Sequence, residues 1–348
     1  MLDIYKTKTY DYYLPEELIA QTPAEPRDSS RLLVYHRDSG QIEHKIFRDV
    51  IDYLQKGDVL VVNNTKVLPA RLIGDKQPTG AKIEVLLLKR QQLDTWEVLM
   101  KPAKRAKQGT IIKFCDDLNC EVVGSTDFGG RIVKFNYNGV FEDVLQKVGT
   151  LPLPHYIHET PKDIKRYQTV FAKTTGSSAA PTAGLHFTTE LMQKIKDKGV
   201  IVAEVLLHVG LGTFRPVSEE NILHHPMHSE WIEVTPQTAK IINNARANGG
   251  RIIACGTTSI RTLESVANDN GEIIPQTKDT NIFIYPGYKF KAVDGVITNF
   301  HLPQSTLIML VSAFCGIEET LNMYNIAVKE KYRFFSFGDA TLLIGEKD

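Results

Sequence analysis

A run of short strand-like segments between Arg71 and about Lys147 interrupts a chain that elsewhere alternates strands with helices. The segments cover residues 81–89, 95–100, 110–114, 120–124 and 131–135, and Gly, Asp and Pro residues separate them. Strands that recur at such short spacing predict a small all-β sandwich or barrel, because each segment is too short to form more than one strand of a compact sheet.

The rest of the chain has the pattern of an α/β domain. Apolar strands at 58–62, 200–208, 251–255 and 296–299 alternate with helical segments at 191–198, 239–248, 259–267 and 305–315. This alternation is typical of a substantially parallel sheet covered by helices, and 348 residues suit two to three domains. We predict an α/β domain built from both chain ends, 1–67 and 153–348, with a small all-β barrel domain inserted at 68–152.

Composition limits the classes of function. Lys and Arg total 41, as do Asp and Glu, so a site for a polyanion must be a local patch. The four cysteines form neither a zinc-type cluster nor a disulfide framework. The N-terminus lacks the layout of a signal peptide, and the apolar stretches are shorter than the ~20 residues of a membrane span. These features predict a cytoplasmic protein without a metal site and without membrane contact.

The segment LLHVGLGTFRP at 206–216 resembles the S-adenosylmethionine loop of class I methyltransferases, in which a strand leads into a glycine-rich turn. However, His208 occupies the place of the usual acid, and Pro216 opposes an immediate helix. The segment therefore reads as a strand-to-loop turn. Ligands of α/β sheets bind at the carboxyl ends of strands, so this turn still predicts a site. The polar residues there are His208, Thr213 and Arg215.

Two other segments combine small or turn-forming residues with histidine. In residues 176–188, small side chains allow a ligand to approach the backbone, and the adjacent His186 and Phe187 favour a binding loop over a mobile surface loop. In residues 224–230, Pro226 disfavours a helix, so the histidines there lack the i, i+4 helical spacing of a metal-binding motif. His228 and Glu230 lie there at the entrance of a strand, where either a general base or a solvated turn fits the sequence.

Three further junctions and two basic clusters are candidate binding sites. Residues 256–261 lead from a strand into a helix, and backbone amides and hydroxyls there suit a carboxylate or phosphate, although an ordinary Ser/Thr cap has the same pattern. Residues 299–305 form a second strand-to-helix junction, in which a structural role fits His301. Asp339 follows a glycine in a turn. The basic residues at 101–107 and 162–166 indicate contact with an RNA backbone, or else solvated faces.

Several long motifs occur in one order along almost the whole chain. They are LPEELIAQ (14–21), NNTKV (63–67) with PAR (69–71), AAPTAGLHFT (179–188), HVGLGTFRPV (208–217), MHSE (227–230), GTTSIRTLES (256–265), NFHLPQSTLIMLV (299–311) and YRFFSFGDA (332–340). Together they resemble the S-adenosylmethionine:tRNA ribosyltransferase-isomerases of queuosine biosynthesis, from about residue 2 to residue 346.

The resemblance implies an α/β domain with an inserted β-barrel. It also implies transfer and isomerisation of the ribosyl part of S-adenosylmethionine onto 7-aminomethyl-7-deazaguanine at the wobble position of a tRNA. The products would be epoxyqueuosine-tRNA, adenine and methionine. The expected partners are that tRNA and S-adenosylmethionine, which is consumed as a substrate. No metal or other cofactor is expected, and the active form is expected to be a monomer.

Residue roles follow from this resemblance as expectations. His186 is the first candidate for a base or for an acid that handles adenine, and Asp339 would orient a ribose hydroxyl or a histidine. The alternative catalytic groups are His208, His228 and Glu230. The S-adenosylmethionine pocket would be lined by Gly184, Leu185, Thr213, Arg215 and Thr258. The anticodon arm would contact Lys101, Arg105 and Arg166. Two alternatives stay open: an S-adenosylmethionine-dependent RNA methyltransferase and a non-catalytic tRNA-binding module.

Overall fold

A computed structural model describes residues 2–126, 129–153, 156–158, 163–210, 217 and 219–345. The chain divides into two compact units. Unit 1 comprises Met1–Lys66, His155–Thr174 and Ala180–Asp348, and unit 2 comprises Val67–Pro154 and Thr175–Ala179. Unit 1 is therefore assembled from both ends of the chain, and unit 2 lies between them in sequence.

The strands and α-helices of the described residues have the following bounds. The strands are β1 (Arg31–His36), β2 (Ile42–Ile46), β3 (Val59–Asn63), β4 (Thr65–Val67), β5 (Arg71–Lys76), β6 (Ala81–Arg90), β7 (Thr95–Lys101), β8 (Ile111–Cys115), β9 (Leu118–Ser125), β10 (Arg131–Tyr137), β11 (Thr174–Ser177), β12 (Ile201–Leu207), β13 (Glu230–Val234), β14 (Ile252–Cys255), β15 (Gln276–Thr280), β16 (Gly295–Asn299) and β17 (Ala340–Ile344). The helices are α1 (Phe141–Val148), α2 (Thr189–Asp197), α3 (Pro236–Ala247), α4 (Gly256–Val266), α5 (Thr306–Cys315) and α6 (Ile317–Lys329).

Unit 1 is built on a mixed sheet of nine strands in the order β15-β13-β12-β3-β14-β16-β17-β1-β2. The central strands β12, β3, β14 and β16 run parallel to one another, and β17 is parallel to β1. The other four pairings are antiparallel. The prediction of an α/β domain is thus confirmed, and its parallel character is concentrated at the centre of the sheet.

The central strands are apolar because helices cover both faces of a parallel sheet. Every residue of β3, β14 and β16 is buried. Leu60, Val62 and Ile253 pack in one core with Phe187 and Leu191, which flank the start of α2. This core fixes the ends of the parallel strands, and it is at those ends that the cleft described below lies.

Unit 2 contains a closed antiparallel barrel in the order β10-β7-β6-β5-β8-β9. Burial alternates along β7, where Trp96, Val98 and Met100 point inward. Such alternation is what a barrel requires, since successive side chains of a strand point to opposite faces. The prediction of an inserted small all-β barrel is confirmed. Outside both sheets, β4 and β11 form a two-stranded sheet of their own.

The apolar helix predicted at 305–315 is confirmed as α5, and Ser305 caps it by accepting a hydrogen bond from the Ile308 amide. A bend of 114° separates α5 from α6. In the part of the chain that the structure describes, no single helix is long and apolar enough to cross a bilayer, and only this bent pair reaches that length and composition together.

Candidate active site

A cleft of about 690 Å³, open to solvent, lies in unit 1 beyond the carboxyl ends of the parallel strands. We call it the central cleft. Its lining comprises Tyr156, residues 180–183, Val209, residues 256–258, residues 298–302, Ser305, Leu307, Phe335 and Ser336. It is therefore built from the segments that follow β12, β14 and β16, which is where open α/β sheets bind their ligands.

The junction between β14 and α4 places a hydroxyl at the cleft. Helix α4 begins directly after Cys255, and Gly256 makes this sharp entry with a φ of 85°, which side-chain-bearing residues rarely adopt. Thr258 follows within the first turn and is buried. Its Oγ1 has no hydrogen-bond partner among the described residues. A buried polar atom without a partner is costly, so this hydroxyl is a strong candidate for a ligand contact.

Asn299, the last residue of β16, contributes a second unsatisfied atom. Its Nδ2 lies 3.0 Å from His186 Nε2 and donates to the Phe335 carbonyl, also at 3.0 Å. The bond to a carbonyl fixes the amide orientation, because only the nitrogen can donate. Asn299 Oδ1 is buried, and no partner for it exists within the described residues. Two residues that line the cleft, Asn299 and Thr258, thus each contribute a buried polar atom without a partner among the described residues.

His186 is buried beneath this site and is hydrogen-bonded to Asn299. Because the Asn299 amide nitrogen can only donate, His186 Nε2 is the acceptor, and Nδ1 carries the proton towards Ser30 Oγ at 2.8 Å. Its ring stacks on Phe47 with centroids 4.8 Å apart. Burial, together with the charges of two arginines, lowers the pKa of His186 to about 3. The imidazole is neutral and both of its nitrogens are engaged.

His301 is the histidine that lines the central cleft. Its Nε2 lies 3.0 Å from Thr298 Oγ1, and its backbone amide donates to the hydroxyl of Tyr324. Tyr12 donates its hydroxyl to the His301 carbonyl. Burial lowers the pKa of His301 to about 3, so the ring is neutral near pH 7.

Aromatic side chains form one wall of the cleft. The rings of Tyr156 and Phe335 lie 4.7 Å apart, and the Tyr156 hydroxyl is 2.7 Å from Ser336 Oγ. Phe335 has a φ of 70°, which is unusual for a bulky residue, and such backbone strain clusters at functional sites. The wall offers aromatic rings, of the residue type with which a purine packs.

A second cavity, partly open to solvent, lies beside the first, and we call it the Arg261 cavity. It is lined by His225, Met227, His228, Glu230, Arg261, residues 282–284, Thr306, Leu307 and Leu310. Leu307 lines both cavities. The side chains of Glu230 and Arg261 form a buried ion pair. Glu230 also accepts a hydrogen bond of 2.9 Å from the Gly210 amide.

His208 and Asp339 have structural partners. His208 stacks on Trp231 with centroids 5.4 Å apart, its Nδ1 is 2.9 Å from Thr65 Oγ1, and burial lowers its pKa to about 4. Asp339 is buried and accepts hydrogen bonds of 2.8 Å from the backbone amides of Arg31 and Arg333. Burial raises the pKa of Asp339, which these hydrogen bonds partly oppose. Asp339 thus joins two chain segments.

The structure separates the residues expected to bind S-adenosylmethionine. Thr258 lines the central cleft. Gly184 packs under Phe171, where an added Cβ would lie 2.5 Å from the ring, and the carbonyl of Leu185 accepts a hydrogen bond from Arg27. The neighbouring residues 180–183 line the cleft instead. The remaining two, Thr213 and Arg215, lie outside the described residues.

The residues expected to contact tRNA differ in exposure. Lys101 ends β7, and Arg105 lies in a short 3-10 helix just after it; both are exposed on unit 2. Arg166 belongs to unit 1, and its side chain is only 15% exposed. It donates to the carbonyl of Ala24 and pairs with Glu25. Within the described ranges, no group of three or more His, Cys, Asp or Glu side chains is placed to hold a metal ion.

Sequence reasoning did not single out Asn299, His301 or Arg261 as ligand-contacting residues. A usable signal existed for Arg261, because it follows Thr258 by three positions and such residues share one face of a helix. No comparable signal existed for Asn299. Its importance depends on an unsatisfied oxygen that only the packed structure reveals.

Comparisons with known proteins agree with this architecture. A family model described as "Queuosine biosynthesis protein" matches residues 7–343. The chain is 58% identical over 339 residues to the S-adenosylmethionine:tRNA ribosyltransferase-isomerase of Clostridioides difficile (strain 630), a match that covers 97% of this chain and 99% of that protein. A crystal structure of S-adenosylmethionine tRNA ribosyltransferase from Thermotoga maritima is similar with a TM-score of 0.55 and 40% identity, over 97% of this chain and 100% of that chain.

Proposed function

Because the chain belongs to the queuosine biosynthesis protein family, we propose that it transfers and isomerises the ribosyl part of S-adenosylmethionine onto 7-aminomethyl-7-deazaguanine in tRNA. The modified base occupies the wobble position, and the products are epoxyqueuosine-tRNA, adenine and methionine. S-adenosylmethionine is a substrate that is consumed. The proposed active form is a monomer.

Two residues that line the central cleft support the proposal, because each has a buried polar atom without a hydrogen-bond partner among the described residues. Asn299 Oδ1 is an acceptor suited to the exocyclic amine of adenine, and the Thr258 hydroxyl is a donor suited to a ring nitrogen. The aromatic wall beside Phe335 suits the purine face. We therefore place the adenosyl part of S-adenosylmethionine in the central cleft.

The first chemical step is removal of a proton from C5′, which the neighbouring sulfonium acidifies. We assign the proton acceptor to His301, the imidazole that lines the central cleft. The transfer moves a positive charge from the sulfonium to the imidazolium and leaves a neutral ylide, so the total charge in the cleft does not change. Burial opposes charging of His301 in the free protein, but in the complex it disfavours the sulfonium cation as well.

Departure of adenine breaks the glycosidic bond and leaves electron density on the purine ring. A hydrogen bond from the Thr258 hydroxyl to a ring nitrogen stabilises that density. The amine of the 7-deazaguanine substituent, which attacks in its neutral form, forms the new carbon–nitrogen bond and loses a proton, which the departing adenine takes up. Methionine leaves as the C5′–sulfur bond breaks and the epoxide oxygen bonds to that carbon. His186 acts indirectly, because it holds the Asn299 amide that orients the adenine.

Contacts to the tRNA backbone are proposed for the exposed basic segment of unit 2. It contains Lys101, Lys104, Arg105 and Lys107, all of which are exposed. Cations of this kind bind phosphates with little dependence on base sequence. We propose that the exposed Lys101 and Arg105 contact the anticodon arm, as expected. Arg166 is instead proposed to stabilise the conformation of the chain around Glu25.

The test of the proposed function is an analysis of small products. Incubation with S-adenosylmethionine and an anticodon stem-loop that carries 7-aminomethyl-7-deazaguanine should release adenine and methionine in equal amounts. A control stem-loop with guanine at that position should release neither. Formation of S-adenosylhomocysteine would instead identify a methyltransferase, and tRNA binding without any small product would identify a non-catalytic binding module.

A further inference from the structure

We propose that the Arg261 cavity binds the zwitterionic aminocarboxylate of the methionine part of S-adenosylmethionine. This inference rests on the proposed function and extends it, because it assigns a separate binding site to the end of the substrate that is far from the adenine. Arg261 would bind the carboxylate, and Glu230 would attract the ammonium group.

Arg261 has a guanidinium nitrogen available for the carboxylate. The side chain is 7% exposed and lines the cavity. Its Nη1 pairs with Glu230, its Nε donates to the Ile282 carbonyl, and its Nη2 has no hydrogen-bond partner in the described part of the chain. A guanidinium group is planar, and a carboxylate is the small anion whose shape matches it.

The charge balance of the cavity fits a zwitterion better than a simple anion. Glu230 and Arg261 together carry no net charge, so a phosphate or sulfate would face an adjacent carboxylate. An α-amino acid head group carries one charge of each sign, as the pair does. The Gly210 amide and the guanidinium hold the Glu230 carboxylate in position, and a carboxylate has lone pairs enough to accept from an ammonium group as well.

The Arg261 cavity adjoins the central cleft. Thr258 and Arg261 are three residues apart on α4, so they rise about 4.5 Å along one face of the helix. Thr258 lines the central cleft, Arg261 lines its neighbour, and Leu307 borders both. Apolar side chains of Met227 and Leu310 line the Arg261 cavity, which suits the methylene groups between sulfur and the head group.

The experiment compares three ligands by equilibrium dialysis, with an unmodified anticodon stem-loop present so that no turnover occurs. S-adenosylmethionine has the whole head group, decarboxylated S-adenosylmethionine lacks the carboxylate, and 5′-methylthioadenosine lacks the entire aminocarboxypropyl chain. The wild-type protein should bind S-adenosylmethionine at least about tenfold more tightly than the decarboxylated compound, the loss typical of a charged hydrogen bond.

The test variant is Glu230→Gln with Arg261→Met. The glutamine still accepts from the Gly210 amide, and the methionine fills the volume, so no charge is left buried alone. This variant should bind the two sulfonium compounds with similar affinity and should bind 5′-methylthioadenosine as the wild type does. A matched control is Asp58→Asn with Arg251→Met, which removes a second ion pair of unit 1, outside both cavities. It should keep the wild-type preference.

Three results would overturn the inference. They are a wild-type protein that does not distinguish the two sulfonium compounds, a test variant that keeps the preference, and a test variant that loses affinity for all three ligands equally although its thermal unfolding matches that of the control. The proposed function would survive each of these if adenine and methionine are still produced. Wild-type protein that binds no S-adenosylmethionine would overturn both.

Discussion

The side chains of the central cleft divide into those that face the ligand and those that hold them. Asn299 lines the cleft and has a buried oxygen without a partner among the described residues, and His186 lies 3.0 Å from its nitrogen. His301 faces the cleft with an imidazole that Thr298 orients. This division predicts different consequences for the two histidines: loss of catalysis for His301 and loss of stability for His186.

Replacement of His301 by glutamine should remove the proton acceptor and keep a hydrogen bond to Thr298. We expect kcat to fall by about 10²- to 10⁴-fold, the usual contribution of general acid–base catalysis, with little change in KM. Steady-state release of adenine measures this effect. The exposed His224 provides a control, because His224→Gln should retain wild-type turnover. Turnover near the wild-type rate in His301→Gln would remove His301 from the mechanism.

Replacement of His186 by glutamine should change the pH dependence of stability. The folded pKa of about 3 lies below the ordinary value of 6.5, so unfolding takes up a proton between these values. His186 therefore lowers the free energy of unfolding by about 1.4 kcal/mol for each unit by which pH falls through this window. His186→Gln should lack that contribution. Urea unfolding near pH 6 and near pH 4 measures the slope.

Ser30→Ala is the matched control, since it removes a hydrogen bond to His186 and leaves the imidazole in place. It should lower stability and keep the wild-type slope. An unchanged slope in His186→Gln would show that the imidazole is already charged, or exposed, in the folded protein.

At the residue scale, the sequence indicated the segments but not the contacts. It identified residues 179–188, 256–265 and 299–311 as chemical motifs, and all three contribute to the cleft. Within them it favoured His186 as a catalytic group, because an imidazole next to Phe187 among small residues suggests a ligand-binding loop. Burial reverses that interpretation, and burial depends on the packing of Phe47 and Phe187 from distant parts of the chain.

At the scale of elements, the abrupt start of α4 determines where Thr258 lies. Gly256→Ala should cost about 1–2 kcal/mol of stability, because alanine is strained at a φ of 85°. Its new methyl group would also lie 3.5 Å from the Ala183 Cβ and 3.6 Å from the Thr258 hydroxyl. We therefore expect a raised KM for S-adenosylmethionine together with the loss of stability.

Gly249→Ala separates these two effects. Gly249 also has a positive φ, of 80°, but no atom lies within 4 Å of an added Cβ, and it follows the end of α3 outside the cleft. This variant should show a similar loss of stability in urea unfolding and an unchanged KM. Equal KM values for the two variants would contradict the assignment of the α4 start to substrate binding.

The sequence predicted the types of most elements and not all of their pairings. Apolar runs such as 251–255 predict buried strands directly, and the structure confirms β14. The antiparallel edge formed by β13 and β15 was not predicted, because strand partners depend on contacts between distant segments. Helix α6 was also missed, since it follows α5 after the single residue Gly316 and the two patterns merge.

At the scale of the whole molecule, the proposal assigns tRNA binding to the exposed basic segment of unit 2. A triple substitution of Lys101, Lys104 and Arg105 by alanine should weaken binding of an anticodon stem-loop. The slope of log affinity against log salt concentration should fall by about 0.7–0.9 for each phosphate that the variant no longer neutralises. Fluorescence anisotropy across a salt series measures both quantities.

The control triple variant removes the same charge from the same unit. Lys82, Lys113 and Lys134 are exposed lysines paired with Asp75, Asp116 and Asp94, respectively. Their substitution by alanine should leave the salt slope nearly unchanged. Equal decreases in affinity in the two triple variants would show that only the net charge of unit 2 matters, and that the 101–105 segment has no special role.

The fate of the ribose carbons distinguishes ribosyl transfer to the nucleobase from methyl transfer. Wild-type protein is incubated with S-adenosylmethionine labelled with ¹³C throughout its ribose and with a stem-loop that carries 7-aminomethyl-7-deazaguanine, and the nucleoside is then analysed by mass spectrometry. The account predicts that all of the labelled ribose carbons are found on the nucleobase. A nucleoside that gains only an unlabelled methyl group, or that is unchanged, would contradict it.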